Sequence, residues 1–125
     1  MKPTRFSDVF QIDRKRLATK NLTPGKRFFE EELFREGKNE FRVWDPARSK
    51  LAAAVMKGVS QIGVRQGSVV LYLGASHGYT PSFVSDMVGN SGFVFCVEFA
   101  PRVARELLFV CEQRKNMAPI IEDAN

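Results

Sequence analysis

A chain of 125 residues amounts to at most one small domain with a modest core, and 44% apolar and 26% charged residues is an ordinary globular composition. Its net charge of +5 lies wholly in residues 1–50, with 13 Lys and Arg against 8 Asp and Glu, while residues 51–125 carry six of each; a basic part beside a neutral one is compatible with a polyanionic partner. No apolar run approaches the roughly 20 residues that span a membrane, and MKPTRFSDVF lacks the apolar stretch of a secretory signal, so the expected location is the cytoplasm.

Up to residue 45 the chain alternates apolar and polar positions in short segments. Phe6, Val9, Phe10 and Ile12 open one strand-like stretch, Leu17 to Leu22 make another, and Thr23-Pro24-Gly25 marks a turn. Phe28 to Phe34, with three consecutive glutamates, fits neither period. Glu36-Gly37-Lys38-Asn39 predicts a hairpin turn into Glu40-Phe41-Arg42-Val43-Trp44, a strand by its alternation and composition. A small antiparallel β unit follows from this pattern.

Beyond it the pattern becomes α/β. Asp45 as N-cap and Pro46 in the first turn predict a helix carrying Leu51, Val55, Val59 and Ile62. Gln66-Gly67 is a turn, and the apolar run Val69–Leu73 predicts a strand covered on both faces. A glycine-containing loop, Gly74 to Gly78, leads to a helix from about Pro81 to Val88, stopped by Gly89-Asn90-Ser91-Gly92. Phe93–Val97 predicts a second strand ending at Glu98, then come a helix from Pro101 to about Arg114 and a third strand from Pro119 to Asp123. Cys96 and Cys111 lack disulfide or metal-ligand spacing and read as buried free thiols. Alternating strands and helices predict parallel strands joined by right-handed crossovers. Such a sheet usually has more than three strands, so the chain is expected to stop inside its domain, leaving Ile120 and Ile121 a face without cover.

In an open α/β sheet, ligands bind beyond the carboxyl ends of the strands. The loop Gly74–Thr80, Glu98 and Asp123 all fall there, with Glu98 twenty residues past Gly78. Glycines admit close backbone approach, and a helix start offers free N–H groups to a carboxylate. An acidic residue after the second strand suits two ribose hydroxyls, and a polar residue after the third suits an adenine amino group. S-adenosylmethionine and the nicotinamide dinucleotides share these needs. The dinucleotides also require G-x-G-x-x-G, which is missing because three residues separate Gly74 from Gly78.

Four ordered segments carry a sharper signal: Arg42-Val43-Trp44-Asp45-Pro46 with Arg48-Ser49-Lys50-Leu51-Ala52-Ala53-Ala54; Leu71-Tyr72-Leu73-Gly74-Ala75 through Val84-Ser85-Asp86; Val97-Glu98-Phe99-Ala100-Pro101-Arg102; and Ile121-Glu122-Asp123-Ala124. In these the chain resembles the archaeal fibrillarin-like RNA 2′-O-methyltransferases, whose small β domain Leu17-Ala18-Thr19-Lys20-Asn21-Leu22 is also similar to. The resemblance implies a small antiparallel β domain over 1–45, then, over 46–125, the first part of a Rossmann-like methyltransferase fold with a parallel sheet. It implies S-adenosylmethionine as cofactor and ribose 2′-hydroxyls of ribosomal and transfer RNA as substrate. The implied partners are a box C/D guide RNA, a Nop-domain scaffold protein and a kink-turn-binding ribosomal-type protein.

Carried over by position, Gly74, Ala75 and Gly78 shape the cofactor loop, with Tyr79 and Thr80 at the methionine end. Glu98 falls on the ribose and Phe99 against adenine, with Asp123 and Ala124 near the same base. Lys50 matches the first lysine of the family's catalytic lysine–aspartate–lysine set; the aspartate and second lysine have no counterpart here. His77 and Tyr79 stand where the family has smaller residues, and His77 reads as a solvent-facing loop residue. On these expectations the 125 residues alone do not turn over. The other readings are a non-catalytic cofactor- or partner-binding module and, opposed by the missing glycine, a nicotinamide-dependent oxidoreductase.

Overall fold

The computed structural model describes residues 1–122. Five short strands, β1 (Lys2–Pro3), β2 (Val9–Gln11), β3 (Leu17–Lys20), β4 (Leu33–Glu36) and β5 (Asn39–Trp44), form an antiparallel sheet ordered β1-β2-β3-β5-β4. The β4–β5 register, Glu36↔Asn39 and Phe34↔Phe41, closes the expected two-residue hairpin over Gly37-Lys38. Gly37 is left-handed, φ 65°, as a tight turn matched to strand twist demands.

The first helix differs from the sequence expectation. Asp45 caps a turn of its own: its Oδ1 accepts from the Ala47 N–H at 2.9 Å and its carbonyl from the Arg48 N–H at 3.0 Å. The helix α1 is Lys50–Met56, capped by Ser49, whose hydroxyl accepts from the Ala52 N–H. It ends at Lys57 and a left-handed Gly58, so Val59 and Ile62 lie outside it.

β6 (Val69–Leu73), α2 (Tyr79–Val88), β7 (Phe93–Glu98), α3 (Pro101–Gln113) and β8 (Met117–Ile121) then build a parallel sheet ordered β6-β7-β8. α2 starts two residues before its predicted start and β8 two residues before Pro119. A second correction concerns β6. Val69, Leu71 and Leu73 are 71%, 61% and 68% exposed, so among the described residues this strand is covered on one face only. Its other face, with Val70 and Tyr72, packs into the core.

α2 lies between two cores, and every residue from Thr80 to Val88 is buried. Val84 and Val88 join Val94, Cys96, Leu107 and Val110 beneath the parallel sheet. Phe83 and Met87 join Leu17, Trp44, Ala52 and Val55 on the other side. Between the two cores sits a buried ionic network. Asp86 on α2 accepts from Arg42 (3.0 Å), Arg114 (2.7 Å), the Thr19 hydroxyl (2.6 Å) and the Leu22 N–H (3.0 Å). Arg42 also pairs with buried Glu31 at 2.8 Å. Two cations and two anions thus balance where an unpaired charge would be costly.

Candidate functional site

The loop after β6 is pinned from below. The Gly74 and Ala75 N–H groups both donate to the Val97 carbonyl at 2.9 Å, which seats the loop on the end of β7. Gly74 has φ 74° and nothing within 4 Å of where a Cβ would stand, so its backbone is open to a ligand. Gly78 has φ 96°, and an added Cβ would come 3.1 Å from Leu107 Cδ1; it turns the chain into α2 and lets α3 pack close. α2 begins without a side-chain cap, and Pro81 in its first turn has no N–H to leave unpaired. The start of α2 therefore presents backbone donors and partial positive charge.

Glu98, at the end of β7, is clasped by backbone. Its Oε1 accepts from the Ser76 N–H at 2.6 Å, and its Oε2 from the Ala100 and Phe99 N–H groups at 2.8 and 3.1 Å. The Ala100 and Ser76 bonds, with a smaller share from Phe99, hold its carboxyl below the usual carboxylate range despite an opposing effect of burial. Glu98 also stabilises Ser76 in a left-handed conformation, φ 54°, that a non-glycine residue adopts at a cost.

A cavity of about 260 Å³ opens over this loop, lined by Arg48, Tyr72, Gly74, Ala75, Ser76, His77, Tyr79, Thr80 and Pro81. Of the residues singled out from sequence, Gly74, Ala75, Tyr79 and Thr80 line it. Gly78 lies beneath the loop, Glu98 and the half-exposed Phe99 stand beyond its wall, and Lys50, exposed at the first position of α1, is outside the lining. Asp123 and Ala124 lie outside the described residues. His77 is a surface residue 4.0 Å from Glu106.

The side chains of Tyr79 and Thr80 turn back into the protein. The Tyr79 hydroxyl accepts from the Asp45 N–H at 3.0 Å, its ring meets Phe29 and Phe83 edge-on, and the Arg48 guanidinium stacks over it at 4.2 Å. The Thr80 hydroxyl donates to Ser49 Oγ at 2.9 Å. Burial raises the pKa of both Tyr72 and Tyr79, so both phenols stay protonated and neither suits a general base. Arg48, Tyr72 and Ser49 were not among the residues assigned from sequence. Arg48 and Ser49 sit inside the motif that runs through Lys50, and Tyr72 occupies an inward position of β6 that an unbroken apolar run does not mark.

Among proteins of known family, the sequence matches the family model described as Fibrillarin over residues 1–125. It is 51% identical over 116 residues to the fibrillarin-like rRNA/tRNA 2′-O-methyltransferase of Methanopyrus kandleri, covering 93% of this chain and 50% of that protein. In structure it is similar to Aeropyrum pernix fibrillarin in complex with natively bound S-adenosyl-L-methionine, with a TM-score of 0.88 and 44% identity over 98% of this chain and 55% of that one. It is also similar to a chain of a fibrillarin/Nop5p complex, with a TM-score of 0.82 and 33% identity over 98% of this chain and 54% of that one. The chain spans about half the length of the curated relatives it matches.

Proposed function

The chain belongs to the fibrillarin family, and from that premise we propose that the protein is an S-adenosylmethionine-dependent methyltransferase acting on ribose 2′-hydroxyls of ribosomal and transfer RNA. A box C/D guide RNA selects the target. In this reading residues 1–45 are the small β domain and residues 46–125 belong to the cofactor-binding methyltransferase domain.

The Glu98 clasp is the observation that carries the reading. A carboxylate offers about four acceptor sites, and backbone donors engage it in three bonds, which leaves an ionised oxygen with capacity for a ribose hydroxyl. The remaining features fit the same group. The cavity of about 260 Å³ falls below the roughly 300–1,000 Å³ of sites that enclose a whole drug-sized ligand, so it suits the methionine end alone, with the nucleoside out towards Glu98 and Phe99. Gly74 admits close approach, and the first-turn N–H groups of Tyr79 and Thr80 suit a carboxylate. Asp123 and Ala124 complete the adenine side in this assignment.

When bound, S-adenosylmethionine supplies an electrophilic methyl group on a sulfonium centre. Lys50 orients the target ribose hydroxyl and stabilises the negative charge that develops on its oxygen. Holding reacting groups in line is worth up to about 7–11 kcal/mol, so positioning is expected to dominate. The fibrillarin/Nop5p complex supports a Nop-domain scaffold protein as partner. A kink-turn-binding ribosomal-type protein and the guide RNA complete the particle, and the positive charge of residues 1–50 suits RNA.

The test is Lys50→Ala in the whole enzyme, assembled with guide RNA and protein partners. Single-turnover methylation should fall by about a hundredfold or more, while S-adenosylmethionine affinity stays within threefold (~0.65 kcal/mol). Equal losses in rate and affinity would make Lys50 a structural or binding residue and remove it from the chemistry.

A further inference from the structure

Two consecutive residues at the start of α2 grip both ends of the segment that delivers Lys50. Tyr79 accepts the Asp45 N–H at 3.0 Å, and Thr80 donates to Ser49 Oγ at 2.9 Å. Between these points Asp45 and Arg48 close their own turn, and Ser49 caps α1, so the segment has little slack. Thr80 and Ser49 are both buried, which shields their bond from competing water. The Arg48 guanidinium stacks on Tyr79 and donates to the Phe29 carbonyl at 3.0 Å, closing the clamp from the outside.

We propose that Tyr79 and Thr80 are positioning residues whose side-chain hydroxyls fix Lys50 relative to the cofactor loop, rather than side chains that contact the cofactor. This rests on the assignment of Lys50 under the proposed function. The Tyr79 hydroxyl accepts from Asp45 and the Thr80 hydroxyl gives its proton to Ser49, so both point towards the segment that carries Lys50, and the backbone N–H groups are what the start of α2 offers a ligand. The clamp also explains why a tyrosine is compatible with the first position of α2. Its ring leaves the loop to pack against Phe29 and Phe83, and its hydroxyl finds a main-chain donor 34 residues earlier in sequence. Cofactor and lysine are thereby carried by one rigid unit, α2, whose far side is anchored by Asp86 in the buried ionic network.

The experiment compares Thr80→Val, Thr80→Ser and Tyr79→Phe in the whole enzyme reconstituted with guide RNA and partners. It reads single-turnover methylation and, separately, S-adenosylmethionine affinity. Thr80→Val should slow methylation by about ten- to a hundredfold, the effect of a displacement on the order of 1 Å, with affinity within threefold of wild type (~0.65 kcal/mol). Thr80→Ser, which keeps the hydroxyl, should restore the rate to within about threefold, and Tyr79→Phe should show the same rate-only loss as Thr80→Val. In a Lys50→Ala background, Thr80→Val should cost nothing further, because a residue acting through Lys50 is not additive with its removal. An additive loss, or an affinity loss equal to the rate loss, overturns the proposal. If Thr80→Val is poorly folded, Tyr79→Phe with the same double-mutant comparison decides alone. A wild type that neither binds S-adenosylmethionine nor methylates RNA refutes the underlying assignment; an active wild type matched by both variants refutes the positioning role only.

Discussion

In the proposed reading, Glu98 serves structure and ligand together. The three N–H bonds that keep its carboxylate ionised also hold Ser76 in a left-handed turn and fix the rim of the loop after β6. Glu98→Gln keeps the shape but loses the charge and turns one acceptor into a donor aimed at a backbone N–H. We expect it to lower S-adenosylmethionine affinity in the whole enzyme by about 1.5–3 kcal/mol, roughly ten- to a hundredfold, the worth of a charge-assisted bond. Isothermal titration checks this, and an unchanged affinity removes Glu98 from the ribose. The acidic residue after the second strand was legible from sequence because strand ends and spacing define it. The clasp was not, since it depends on the conformation of Ser76, a residue with no sequence mark for positive φ. The same limit applies to Tyr79 and Thr80: their position followed from the loop, but the direction of their side chains is set by Asp45 and Ser49, residues more than thirty positions away.

At the scale of elements, α2 and the two arginines explain what the sequence pattern left open. Arg42, Asp86 and Arg114 are charged residues for which the sequence pattern offers no partner. All three are buried, because the antiparallel sheet packs on α2 and closes over them. Burial opposes ionisation of Asp86, but Arg114 and Arg42, with the Thr19 and Leu22 bonds, outweigh it and hold its pKa below the usual value. For Glu31 likewise burial opposes, and Arg42 and the Phe29 N–H prevail. Both folded-state pKa values are depressed, so their contribution to stability is fully present above about pH 4, the unfolded value, and is lost as pH falls through the lower folded values. Asp86→Asn, which leaves two buried guanidiniums short of an anion, should destabilise the fold at pH 7 by about 3–5 kcal/mol. Thermal melts from pH 7 to pH 2.5 should show the wild type losing stability below pH 4 and the variant, already low, losing less. Parallel curves would mean that Asp86 does not carry the linkage. The start of α1 departs from the sequence pattern for a related reason: Asp45-Pro46 is a good helix opening in isolation, but the Asp45 side chain bonds the Ala47 N–H, and Ser49, held by Thr80, caps instead.

Over the whole molecule, the order of elements was legible because each has its own period and turn residues, while the burial of β6 was not. An unbroken apolar run reads as a strand covered on both sides; among the described residues, in a chain that spans about half the length of its relatives, Val69, Leu71, Leu73 and Phe95 are exposed. An apolar face beside a strand edge that no described residue pairs promotes association. The 125-residue chain alone should sediment as a concentration-dependent mixture, and Leu71→Lys should shift it towards monomer; a monomer at all concentrations would contradict this. Methyl transfer by the whole protein in its assembled particle, from labelled S-adenosylmethionine onto an RNA paired with a box C/D guide, tests the proposed function. The expected result is one label per duplex, on the 2′-oxygen of the nucleotide the guide specifies, moving when the guide is changed. Label on a base, label independent of the guide, or no transfer by the fully assembled particle would contradict it.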